Sequence, residues 1–125
     1  IVMENVLDRI PQPMAEVAEK IEHPAFGLCL DVGHANCYSK ISCKEWAKTE
    51  KKYLKHLHLH DNKGDRDSHL PLGVGTVCRD TVREILREKQ VNTCTIECST
   101  KEAVITSFYC AKKLFEKKTD NREDK

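Results

Sequence analysis

The sequence contains no apolar run near the ~18 residues that a membrane-spanning helix requires. No basic, apolar and small-residue succession of a secretory leader opens it. Neither sign of charge is in excess: Lys plus Arg number 21 and Asp plus Glu 20, a net charge of +1. A nucleic-acid binder usually concentrates far more Lys and Arg, so nucleic acid is not the expected partner, nor is a membrane. Glycine is sparse, five in 125 residues. None stands in a G-x-G-x-x-G or Walker pattern after an apolar run, which removes the common phosphate-cradling loops. Gly73-Val74-Gly75 is too short to count as one. There is also no C-x-x-C pair, and the cysteines are odd in number, against both a disulfide framework and a zinc ribbon.

What the chain does have is 39% apolar and 33% charged residues, the balance of a folded polar-surfaced domain. At 125 residues it is one domain at most. The opening residue is Ile1 rather than Met, which sets the expectation of a piece of something longer. The seven cysteines are Cys29, Cys37, Cys43, Cys78, Cys94, Cys98 and Cys110. Most lie in apolar stretches, where a free thiol behaves as a small hydrophobe, so buried thiols in a reducing, cytoplasmic compartment are expected. Cys94-x3-Cys98 as half of a metal site is the lesser alternative, since structural zinc needs four ligands.

Four short apolar runs each lead into a helical pattern. Ile1 to Met3 ends at Glu4; after Pro11 and Pro13, Met14, Val17, Ala18 and Ile21 recur at helical spacing. Phe26 to Leu30 ends at Asp31; Ser42-x-x-Glu45 then forms a capping box, and Trp46 and Tyr53 fall seven apart on the helix it opens. Leu54 to His60 is followed by Cys78, Val82, Ile85 and Leu86 on one helix face. Thr93 to Ile96 ends at Glu97 and precedes Val104, Phe108, Ala111 and Phe115. Strand then helix, four times, predicts an α/β fold with parallel strands. Four βα units are half of an eight-stranded βα barrel of ~250 residues. Left alone, they would have two unpaired edges, so self-association to complete the barrel is expected. The domain is set at residues 1–118, with an apolar-free tail over 119–125 expected to fray.

Each strand ends in a potential metal ligand: Glu4, Asp31, a histidine of the third strand, and Glu97. In a βα barrel the C-terminal strand ends converge, so residues scattered in sequence become neighbours. A mixed carboxylate and imidazole set suits Mn²⁺, Zn²⁺, Co²⁺, Mg²⁺ or Fe²⁺. In His56-Leu57-His58-Leu59-His60 the three histidines share one strand face and the leucines the other. The plainer alternative is a half-solvated strand with polar residues outward. Periodicity alone leaves open which histidine is the ligand. Asp31-x-x-His34 and Asp67-x-His69 are further Asp/His pairs, although Asp31 could simply cap a helix and Asp67 and His69 could belong to an ordinary polar loop.

Glu4-Asn5, Leu30-Asp31-Val32-Gly33-His34, His58-Leu59-His60-Asp61-Asn62-Lys63 and Asp67 to Gly75 together resemble, in order and spacing, the xylose isomerase-like barrel superfamily. That group includes sugar-phosphate isomerases and epimerases and also endonuclease IV. The resemblance runs over residues 1 to about 115 and matches strands five to eight of the eight. It implies metal ligands at Glu4, Asp31, His58 and Glu97, with His58 chosen over His60 by the family's H-x-x-D pattern. It implies proton transfer by Glu4 and Glu97 in the isomerase branch, and substrate binding by His34 with Asp67 and His69. In the endonuclease branch His34, Asp67 and His69 hold a further metal. Where the family usually has Gly-Glu-Gly this chain has Gly73-Val74-Gly75, so any role of that glutamate is lost. The resemblance therefore implies a divalent-metal-dependent sugar or sugar-phosphate isomerase or epimerase. The alternatives are an endonuclease IV-like phosphodiesterase acting on abasic DNA, and an inactive half barrel that dimerises and at most binds metal.

Overall fold

The computed structural model describes residues 1–116; the tail over 119–125 lies outside them. The elements are β1 (Val2–Glu4), α1 (Gln12–Ile21), β2 (Gly27–Asp31), α2 (Val32–Tyr38), α3 (Cys43–Glu50), β3 (Leu54–Leu59), α4 (Arg79–Leu86), β4 (Thr93–Ile96) and α5 (Lys101–Glu116). All neighbouring strands are parallel and the sheet order is β1-β2-β3-β4, the order of the sequence. This is the arc of a βα barrel, each crossover passing over the same face of the sheet.

The core lies between sheet and helices. Leu28, Leu30, Leu57 and Leu59 are fully buried there with Met14, Ala18, Trp46, Val82 and Ile85. Local chemistry sets the helix starts. Pro13 stands in the first turn of α1. Ser42 caps α3, its Oγ accepting from the Glu45 N–H at 3.2 Å. The opposite, histidine-bearing face of the sheet carries the polar groups.

Four expectations need correcting. Trp46 is on α3, but Tyr53 lies past its end, in the turn that leads into β3. On α1, Met14 and Ala18 are buried while Val17 and Ile21 are more than 40% exposed. On α5 the buried residues are Ala103, Ser107 and Leu114, and Phe108 and Phe115 are more than half exposed. On both helices the arc buries part of the apolar pattern and leaves the rest exposed. Finally, all seven cysteines are free but not all are buried: Cys29 is, Cys78 and Cys94 are exposed, and the rest are half-buried. Cys78 occupies the cap position of α4 and Cys94 lies on the edge strand.

Candidate metal centre

The strand register builds the site. Glu4 pairs with Cys29 across β1 and β2, and Asp31 with His58 across β2 and β3, so the strand ends step round a common rim. Glu97 follows directly, its N–H donating to the Leu59 carbonyl at 3.0 Å. Ligand atoms of Glu4, Asp31, His58 and Glu97 lie within 4.8 Å of one another. His58 Nδ1 is 2.9 Å from Glu4 Oε1, 3.3 Å from Glu97 Oε1 and 3.8 Å from Asp31 Oδ2. Three carboxylates around one imidazole repel each other in the absence of a positive charge at their centre. The donor set fits a hard to borderline divalent cation.

Asp31 does both of the things its sequence position allowed. It caps α2, accepting from the His34 N–H at 2.7 Å, and its side chain points into the site. Burial would raise its carboxyl, but the His60 hydrogen bond and charge, with the His34 N–H, outweigh burial and hold it below the ordinary value. Asn5 clamps it from below: the Asp31 N–H donates to Asn5 Oδ1 at 2.7 Å, and Asn5 Nδ2 donates to the Asp31 carbonyl at 3.1 Å.

A second cluster adjoins the first. Ligand atoms of His34, His60, Asp67 and His69 also lie within 4.8 Å of one another. Asp67 Oδ2 is 3.2 Å from His34 Nε2 and 3.1 Å from His69 Nε2. Burial lowers the His34 pKa, but Asp31, the Asn5 carbonyl, Asp67 and Glu4 more than reverse this and raise it. His69 is likewise raised, the Glu97 carbonyl and Asp67 overcoming burial. The structure therefore brings together Glu4, Asp31, His58 and Glu97 in one group and His34, Asp67 and His69 in another, and the two meet at Asp31.

Sequence reasoning missed three contributors. His60 enters the second cluster rather than competing with His58 for the first. Asp61, fully buried, accepts from the N–H groups of Asn62, Gly73 and Val77 at 2.9, 2.9 and 3.0 Å and thereby folds the loop that carries Asp67 and His69. Asn62 donates to the Gly33 carbonyl at 2.7 Å and accepts from the Gly64 N–H at 2.9 Å. The available signal was a run of polar residues directly after a strand, His60-Asp61-Asn62, just as Asn5 follows Glu4. The loop glycine at 75 has a local reason: a Cβ there would overlap the Asn62 carbonyl and the Asp61 carboxylate. A third group, Cys29, His56 and His58, is also close enough to share an ion. There, however, both His56 ring nitrogens are engaged by the hydroxyls of Thr93 and Thr95, at 2.7 and 2.9 Å. Cys94 and Cys98 join no ligand group among the described residues.

A parallel βα arc with carboxylate and imidazole side chains gathered at its C-terminal rim defines a barrel-type protein with a candidate metal site. The sequence profile of the xylose isomerase-like TIM barrel family matches residues 2–116, and the chain belongs to that family. Among solved structures it is similar to a D-tagatose 3-epimerase-like protein, with a TM-score of 0.77 and 26% identity over 90% of this chain and 45% of that one. A Thermus thermophilus protein soaked with zinc chloride gives a TM-score of 0.73 and 25% identity over 94% of this chain and 46% of that one. A probable endonuclease 4 of Mesomycoplasma hyopneumoniae is 31% identical over 87 residues, 60% of this chain and 31% of the relative. An uncharacterized protein of Methanocaldococcus jannaschii is 31% identical over 87 residues, 67% of this chain and 29% of the relative. The chain thus spans about three-tenths of these curated relatives and just under half of the solved ones.

Proposed function

We infer that this chain carries the metal and proton-transfer half of a divalent-metal-dependent sugar or sugar-phosphate isomerase or epimerase. The observation that carries this is the convergence of Glu4, Asp31, His58 and Glu97 within 4.8 Å, with the two glutamate side chains still 29% and 33% exposed. A divalent cation such as Mn²⁺, Zn²⁺, Co²⁺ or Mg²⁺ at these residues would stabilise negative charge on the carbonyl and adjacent hydroxyl oxygens of a sugar as a Lewis acid. The protein side chains supply the rest. Glu4 on β1 and Glu97 after β4 flank the site from the two edges of the arc. One carboxylate takes the proton from the carbon beside the carbonyl, and the other returns a proton to carbon from its own side, contributing ~10²–10⁴-fold in rate. His34, Asp67 and His69 border the same rim and are assigned to the substrate hydroxyls. The epimerase-like neighbour supports this substrate class. The test is exchange of the substrate's carbon-bound hydrogen with solvent deuterium in metal-loaded protein. Glu97→Gln is expected to abolish it; equal exchange in both proteins removes Glu97 from the mechanism.

The lumen requires four further strands, and a second copy of this chain is the proposed source. The uncovered flank of α5, with Phe108, Ala111 and Phe115, borders a groove of about 500 Å³ against Cys94 of the edge strand. At the other edge Val6, Leu7, Val17 and Ile21 are exposed. α1 carries Glu16 and Glu19 against Lys20, while α5 carries Lys101, Lys112 and Lys113 against Glu102 and Glu116, so the two helices differ in the sign of their net charge. Two copies would cover both.

A second reading has its own observation. His34 and His69 converge on Asp67, the residues that by the family resemblance carry a further metal in the endonuclease branch, and a probable endonuclease 4 is among the relatives. Incision of a duplex with one abasic site, dependent on added Zn²⁺, would favour that reading; its absence alongside hydrogen exchange on a sugar would dismiss it.

A further inference from the structure

Helix α3 leads into β3 and α4 follows it. Each carries the chain from the rim back to the start of the next strand, so both helices begin at the rim. They lie side by side. Lys44 Nζ is 3.8 Å from Glu84 Oε2, and Lys51 Nζ, just past α3, is 3.2 Å from Glu88 Oε1, just past α4. Ala47 of α3 and Thr81 and Ile85 of α4 line the shallow groove between them. Residues three and four apart share a helix face. Cys43 therefore heads the stripe that continues through Ala47, and Cys78 the stripe that continues through Thr81 and Ile85. Two thiols from distant parts of the sequence stand at the same end of two facing helices.

Their environments differ. Cys78 is exposed and occupies the cap position of α4, where the first-turn N–H groups have no partner within the helix. The neutral thiol makes no capping hydrogen bond. The Thr81 hydroxyl and N–H, with the Asp80 N–H, favour the thiolate; they outweigh burial and the Asp80 charge and hold this thiol below its ordinary value. A thiolate at a helix N-terminus is the reactive form of cysteine. Cys43 is half-buried against the core, and burial pushes its thiol up to about 12. After burial, the largest contribution to that rise is charge on Cys78, so the two sulfurs are close enough to sense each other. An exposed, ionisable thiol beside a sheltered, protonated one is the arrangement of an attacking and a resolving cysteine.

We propose that Cys78 and Cys43 form a reversible disulfide at the rim ends of α4 and α3, with Cys78 the site that a hydroperoxide oxidises. The Cys78 thiolate attacks one peroxide oxygen and the O–O bond breaks. The sulfur is oxidised to a sulfenic acid, and the other oxygen is reduced and leaves as hydroxide or alkoxide. Cys43 then attacks the Cys78 sulfur. The S–S bond forms, the S–O bond breaks, and the departing oxygen takes the Cys43 proton and leaves as water. A dithiol reductant reverses the bridge, as suits a transient disulfide in a reducing compartment. The placement ties the bridge to the rim. Cys78 directly follows the loop over 61–77, whose last N–H groups, of Thr76 and Val77, donate to the Asn62 carbonyl at 2.8 Å and to Asp61 Oδ1 at 3.0 Å. That loop carries Asp67 and His69, and the bridge anchors its end to α3. Nothing in the inference depends on the cation-site reading.

The experiment treats the reduced full chain with stoichiometric hydrogen peroxide, blocks the remaining thiols with iodoacetamide and maps the unreduced digest by mass spectrometry. A linked Cys43–Cys78 peptide is expected, with two of the seven thiols lost and then recovered by dithiothreitol. Cys43→Ser should leave Cys78 as a sulfenic acid that dimedone traps. Cys78→Ser should slow peroxide consumption by about tenfold or more and give no bridge. Cys94→Ser, at the other exposed cysteine, should leave the bridge unchanged. Should the Cys43 and Cys78 variants not fold, the wild-type chain still decides: under limiting iodoacetamide, Cys78 is expected to be alkylated before any other cysteine. Another cysteine labelled first, an unchanged thiol count after peroxide, Cys78 bridged to a different partner, or a Cys78 sulfenic acid that persists in wild type overturns the inference.

Discussion

Glu50 is the last residue of α3, fully buried, and neither of its carboxylate oxygens has a hydrogen-bond partner. Burial, with a smaller contribution from Asp8, pushes its pKa from 4.5 up to about 8. In the unfolded chain the group ionises near pH 4.5, whereas in the folded protein it holds its proton until about pH 8. Between those values the folded state binds more protons than the unfolded state, so stability falls as pH rises. Each pH unit of that window removes up to about 1.4 kcal/mol, a total on the order of 4 kcal/mol by pH 8. Glu50→Gln keeps the size and removes the ionisation. Urea denaturation of both proteins at pH 5, 6, 7 and 8 is the assay. The variant is expected to match wild type near pH 5 and to exceed it progressively, levelling off above pH 8. Comparing the two cancels the histidines: His34 and His69, also raised, lose their stabilising contribution over an overlapping range in both proteins. A difference between the two proteins that does not change with pH would refute the reasoning.

Asp61→Ala orphans three backbone N–H groups in and around the loop over 61–77, each worth about 1–3 kcal/mol when buried without a partner. Chemical denaturation should show a loss of at least about 3 kcal/mol, and cation binding at Asp67 and His69 should weaken with it. Gly33→Ala forces a Cβ into the buried His60 ring, so thermal melting is expected to give a Tm below that of wild type. Gel filtration with light scattering should give a dimer mass for the chain, and Phe108→Asp, on the uncovered flank of α5, should return a monomer; a folded wild-type monomer at high concentration contradicts the pairing.

The rim was legible in the sequence because period-two alternation is rigid. Once Leu57 and Leu59 are assigned to the helix side, His56 and His58 must face the lumen, and each apolar run stops at the residue that becomes a ligand. The division of labour between His58 and His60 was not legible from alternation, since both have the same parity. It is decided by where β3 ends: His58 is still paired, in register with Asp31 and Thr95, whereas His60 lies beyond the strand, where the chain has begun to turn towards Asp67. The bracing carbonyls of Asn5 and Glu97 were invisible because backbone groups leave no residue-type signature. Asp61 was visible only as part of a motif, because its acceptors are used by N–H groups 12 and 16 positions away.

The helix faces were legible only in part, for a related reason. Apolar periodicity reports every surface that a helix must bury, whatever buries it. In α1 and α5, the first and last of the helices, that total exceeds what one four-stranded arc can cover, so Val17, Ile21, Phe108 and Phe115 carry the pattern of core residues without being core in this chain. The helices between β2 and β4 behave differently: Trp46 of α3 and Val82 and Ile85 of α4 are buried. The mismatch is therefore confined to the two ends of the sheet, as expected of an arc whose hydrophobic surface was shaped for eight strands. The clusters of ligand side chains do not share that deficit, since their residues all come from β1 to β4, α2 and the loops that follow the strands. Cation affinity and barrel closure should accordingly separate. Phe108→Asp should change the mass of the assembly and leave cation binding at Glu4, Asp31, His58 and Glu97 in place, whereas a loss of metal with the dimer would place missing ligands on the partner copy.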